Sequence, residues 1–128
     1  MNKLIIDAVN EKIFLMIITS SNIYNITYEN TKINYEKLTI IINDFILSKN
    51  IKITDINAIY INQGSGSFAG IRNSISVVKA FKVAKNIDYY CYNLDDFKDE
   101  KDLSHENIPN LCKKYKIKKN LINPVYLS

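Results

Sequence analysis

Glycine is almost missing from this chain of 128 residues: there are three, at 64, 66 and 70, and none elsewhere. Histidine and cysteine are as scarce, with one His105 and the two cysteines Cys91 and Cys112. A lone histidine in a polar stretch gives no basis for a Ser-His-Asp or Cys-His nucleophilic site, and His105 reads as a surface residue. The cysteines lack metal-ligand spacing and imply no disulfide framework. They read as small apolar core residues, Cys91 in a strand and Cys112 in a helix. A two-metal nuclease site needs several converging carboxylates, but the strands offer only Asp7 and, at a strand start, Asp88. No run reaches the roughly 18 apolar residues of a membrane span. Asp7 also spoils the run Leu4-Ile5-Ile6 as a signal-peptide core, so a cytoplasmic protein without membrane contact is expected.

What is present defines one domain. A 47% hydrophobic content over this length supports a sizeable single core. The net charge of +4 is modest, and much of it lies in Lys113-Lys114-Tyr115-Lys116-Ile117-Lys118-Lys119. Such a run can follow nucleic-acid phosphates, although a solvated face is its commoner meaning.

Lys3 to Val9, Lys12 to Thr19 and Ile23 to Tyr28 read as three strands joined by short turns, an antiparallel meander. Lys37 to Ser48 has Leu38, Ile41, Ile42 and Phe45 at helical spacing, with Ile40 and Leu47 on the far side. Ile56 to Ile61 is a fourth strand and Ile87 to Tyr92 a fifth. Between them, Ile71 to Lys85 is helical, with Ile71, Ile75 and Val78 on one stripe and Val77, Ala80, Phe81 and Ala84 on another. Either the first stripe covers the sheet and the second is left for something else, or both are buried within this chain. Asn93 to Lys98 begins a short helix, Asp99 to His105 is a surface loop, and Glu106 to Lys116 is a last helix that Pro109 confines to starting nearby.

All three glycines therefore fall in one strand-to-helix turn, Gln63-Gly64-Ser65-Gly66-Ser67-Phe68-Ala69-Gly70-Ile71-Arg72. Glycine is required where φ is positive or where another group approaches the backbone closely. Ser67 suits the N-cap of the following helix, whose N–H groups and dipole could face an anion. The spacing G-x-G-x-x-x-G matches neither the dinucleotide fingerprint nor a P-loop, so a tight connection is the plainer meaning.

The literal residues from Gly64 to Arg72 resemble the G-P-G-S-F-T-G-L-R signature of the TsaB (YeaZ) family. Pro124-Val125-Tyr126-Leu127 is similar to its closing P-V-Y-L-R, and Leu94-Asp95 to its S-L-D stretch. The sequence departs at Ser65 and Ala69, where proline and threonine are usual, and at Ala8-Val9, where a hydroxyl residue follows the first-strand aspartate. The resemblance implies a ribonuclease H-like lobe of the actin-type ATPase fold, α/β with a five-stranded mixed sheet flanked by helices. Residues 1–98 would form the first lobe, and 99–128 would stand in place of the second. It further implies a non-catalytic partner of a TsaD-type subunit in tRNA threonylcarbamoyladenosine synthesis, in a heterodimer joined through the two long helices, with a TsaE-type ATPase in the larger complex. The interface would include Leu38, Ile41, Ile42, Phe45, Val77, Ala80, Phe81 and Ala84, and Gly64, Gly66, Ser67, Gly70 and Arg72 would form a structural turn. No catalytic residue, metal or cofactor is expected, while homodimerisation and tRNA contact stay open. The rival readings are a degenerate actin-like ATPase lobe holding nucleotide at Asp7 and the glycine turn, and a small RNA-binding module.

Overall fold

The computed structural model describes residues 1–64 and 69–122. Five strands form one mixed sheet: β1 (Lys3–Asp7), β2 (Lys12–Ile18), β3 (Ile23–Glu29), β4 (Ala58–Asn62) and β5 (Asp88–Tyr92), in the order β3-β2-β1-β4-β5. The first three are antiparallel neighbours, and β4 and β5 join parallel to β1. Four helices accompany the sheet: a single turn α1 (Lys32–Tyr35), α2 (Leu38–Ser48), α3 (Ala69–Lys85) and α4 (Ile108–Lys114). Short 3-10 turns occupy Leu94–Phe97 and His105–Asn107.

Position in the sheet explains each strand's pattern. Central β1 is covered on both faces, so Leu4, Ile5 and Ile6 run consecutively apolar. Edge strand β3 alternates: Tyr24, Ile26 and Tyr28 pack inward while Asn25, Thr27 and Glu29 are exposed. Leu4 and Ile6 face the side covered by α2 and α3, together with Leu15, Ile59 and Cys91. Ile5 faces the opposite side with Met16, Tyr60 and Tyr92, under Phe97, Ile108, Leu111 and Cys112. Asn50 and Asn86 take positive φ just after α2 and α3, the left-handed stop that asparagine tolerates.

The buried arc of α3 is Gly70, Ile71, Ser74, Val78 and Phe81. Phe81 is 7% exposed and belongs to the core, whereas Ile75 is only half-buried. This corrects the expected division into two stripes. Leu38, Ile41, Ile42 and Phe45 are likewise buried in the chain's own core and are not available at its surface. The sheet itself needs this much apolar cover, because α2 and α3 must close one whole face of it.

The free edge of β5 is met at Tyr89 by one residue. Asn120 donates its backbone N–H to Tyr89 O at 2.7 Å, and its Oδ1 accepts from Tyr89 N–H at 3.0 Å. Its Nδ2 donates to Asp88 Oδ1 at 2.9 Å. Asp88 also accepts from Lys82 Nζ at 2.8 Å, and these bonds, the lysine's first, hold its carboxyl down to about 2.

Candidate functional site

In an open α/β sheet the carboxyl ends of the parallel strands form the crevice where ligands bind. Here those ends bring together Asp7 from β1, Asn62 from β4 with Gly64 just after it, and Asn93 just after β5. Asp7 is 9% exposed, and its carboxylate has three partners. Oδ1 accepts from Val9 N–H at 3.3 Å, and Oδ2 accepts from Asn62 Nδ2 at 3.3 Å and lies 2.8 Å from His105 Nε2. The histidine ring lies on Phe14, centroid to centroid 4.0 Å at 22°.

His105 is therefore not the plain surface residue expected. It closes the crevice from the segment before α4, a contact between residues far apart in the chain that no local pattern announces. No group of three His, Cys, Asp or Glu residues stands close enough to hold one among the described residues. Asp88, the other strand carboxylate, sits at the opposite end of its strand and is engaged with Lys82 and Asn120. Burial pushes the Cys91 and Cys112 thiols up to about 12, which removes thiolate chemistry.

A double-mutant cycle reads the Asp7–His105 contact. Asp7→Asn and His105→Gln should each destabilise, and the pair should fall short of additivity by about 1 kcal/mol in chemical denaturation. Strict additivity would mean that the contact carries no energy.

The glycine turn is built for close approach. Gly64 has φ +52°, and a Cβ there would stand 2.8 Å from Val9 Cγ1 and 3.2 Å from Ile71 Cδ1. Gly64 N–H donates to Asn62 Oδ1 at 2.8 Å, and its carbonyl accepts from Asn93 Nδ2 at 3.1 Å. Asn93 also opens the Leu94–Phe97 turn: its Oδ1 accepts from Asp95 N–H at 3.1 Å, and Asp96 Oδ2 accepts from Asn93 N–H at 2.9 Å. Two of the stretches that carry the family resemblance thus touch. At Gly70 a Cβ would lie 2.6 Å from Asn30 Oδ1 and 3.1 Å from Ala8 O. Asn30 in turn ties the β1–β2 turn together by donating to Ala8 O at 2.9 Å and Asn10 O at 2.7 Å. Gly66, Ser67 and the Pro124 to Leu127 motif lie outside the described residues, and Arg72 is exposed in the first turns of α3. Beside the turn is an open cavity of about 770 Å³, lined by Val9, Glu11, Lys12, Asn30, Tyr35 and Gly70 among others.

Of the expected interface residues, Ala80 and Ala84 are exposed and Val77 half-buried. Other apolar side chains on these helices are more prominent, Ile40 and Leu47 on the far side of α2 as read from the sequence, and Val83, which that reading did not single out. Val83 is 88% exposed on α3, and Ile40 and Leu47 are each 59% exposed on α2.

The antiparallel β3-β2-β1 meander continued by parallel β4 and β5, with helices on both faces, is an α/β fold of the ribonuclease H-like, actin-type lobe. Within that class the similarity is to YeaZ. YeaZ from Pseudomonas aeruginosa superposes with a TM-score of 0.65 at 17% identity, covering 72% of this chain and 43% of its own. A second Pseudomonas aeruginosa structure, of an uncharacterized protein with similarity to peptidase YeaZ, gives the same TM-score of 0.65, 17% identity and coverage. The matched region is thus less than half of either structure. No protein-family model and no curated protein matches the chain. No helix among the described residues is long and apolar enough to cross a membrane.

Proposed function

We propose that the chain is a non-catalytic partner of a TsaD-type subunit in tRNA threonylcarbamoyladenosine synthesis, and that it acts by helix-mediated heterodimerisation. The observation that carries this reading is the coincidence of a YeaZ-like fold with the Gly64 to Arg72 signature between β4 and α3. The outer faces of α2 and α3 support it, because Ile40, Leu47, Val83, Ala80 and Ala84 leave apolar surface that the chain does not cover. A partner helix packed there is the simplest cover.

Co-expression with the TsaD-type subunit of the same genome tests the proposal. Wild type should co-purify, and Val83→Glu should weaken association by roughly tenfold or more while leaving the melting temperature unchanged, since the position has no core contact. Absence of any complex, or ATP turnover that Asp7→Ala abolishes, would sink the reading in favour of the ATPase-lobe alternative.

A further inference from the structure

At the end of the sheet away from Asp7, the face under α4 holds an open groove of about 430 Å³, a volume in the range of small-ligand sites. Its floor is aromatic. Tyr60 and Tyr90, register partners on β4 and β5, are stacked with centroids 5.0 Å apart at 11°. Its rim is cationic, with Lys3 from the start of β1 and Lys113 and Lys116 at the end of α4. No carboxylate lines it.

The basic stretch after residue 112 is divided by the fold. Lys114 pairs with Glu100, and Lys119 reaches Asp88 at 3.7 Å. Lys3, Lys113 and Lys116 have no ion-pair partner among the described residues. Lys116 has φ +56°, so the chain turns sharply there and Ile117 comes onto the same groove. Burial, then the neighbouring Tyr90, push the Tyr60 phenol up to about 12, which keeps it a hydrogen-bond donor. Asn110 also lines the groove; its Nδ2 donates to Asn107 at 3.3 Å, leaving Oδ1 as an acceptor.

We propose that this groove binds single-stranded RNA, with a base against the half-buried Tyr90, whose ring buried Tyr60 backs, phosphates on Lys3, Lys113 and Lys116, and a 2′-hydroxyl donating to Asn110. Aromatic platforms beside unpaired cations are what unstacked bases and their phosphates require, and a rigid duplex cannot present a base to a recessed floor. The inference does not depend on a protein partner at α2 and α3, which lie on the opposite face of the sheet.

Fluorescence anisotropy of the purified full chain with a labelled unstructured RNA 10-mer tests it, alongside the DNA 10-mer, an RNA duplex, UMP and polyglutamate as competitors. The RNA strand should bind best. Lys113→Gln with Lys116→Gln, at positions that do not build the core, should weaken binding about tenfold and lower the salt slope by about 1.4. Tyr90→Leu should weaken it at least about fivefold with the slope unchanged, because stacking and not charge is lost. Thermal melts confirm folding, and the lysine pair keeps the test decisive if the tyrosine variant unfolds. No binding, equal binding of duplex or DNA, equal competition by UMP or polyglutamate, or indifference to the lysine pair would each overturn the assignment.

Discussion

Phe81→Asp is expected to unfold the domain or bring it close to unfolding. Phe81 is 7% exposed, packed in the core beneath α3 with Val78, Ile87 and Tyr89 in the same cluster. The substitution removes an aromatic ring, which alone costs about 3–5 kcal/mol, and leaves a carboxylate with no partner. Total stabilities of small domains are about 5–15 kcal/mol, so a loss of the cooperative melting transition is the expected result. Val83→Glu, two residues on, on the opposite side of the helix and 88% exposed, serves as the control and should melt like wild type. A Phe81→Asp protein that melts within a few degrees of wild type would mean that the ring is not a core element.

Gly70→Val should be the next most damaging change. The added Cβ would meet Asn30 Oδ1 at 2.6 Å, Asn30 Nδ2 at 3.0 Å and the Ala8 carbonyl at 3.1 Å. The carbonyl is backbone at the end of β1 and cannot swing aside. If Asn30 moves, the carbonyls of Ala8 and Asn10 lose their donor, and the branched side chain adds volume to a contact with none to spare. A loss of about 2–4 kcal/mol in urea unfolding follows. Asn30→Ala in the same chain should relieve part of it, because the clash and the lost bonds share that side chain. A Gly70→Val protein as stable as wild type would show that α3 and the β1–β2 turn need not approach so closely.

The strands were legible because their burial is written in period: continuous apolar residues in β1, where both faces are covered, and alternation in β3, where one is wet. Helix existence was equally plain, but the faces of α3 were not. On a wheel of about 100° per residue Ser74 lies between Val78 and Phe81. A serine there breaks the apolar stripe in two, so Phe81 reads as part of a second face. The fold buries Ser74 by letting its hydroxyl donate to Gly70 O at 2.7 Å, which makes the arc continuous. At the site, the strand-end position of Asp7 and the glycines at 64 and 70 could be read, since each answers a local backbone demand. His105 could not, because its partner is brought by the return of the chain under the opposite face of the sheet. The same holds for the cationic groove, where lysines from both ends of the chain meet two tyrosines.

The asymmetry of the sheet's two margins limits how copies of this molecule can join. Asn120 occupies the β5 margin at Tyr89 like a one-residue strand, whereas among the described residues no strand pairs with the outer edge of β3. A fibre grown by strand addition needs two open margins on every unit, one to accept and one to offer. With the β5 margin partly stopped, β3 is the freer edge for meeting the β3 of a second molecule. A pair joined β3 to β3 would then leave only the partly covered β5 margins for any further strand addition.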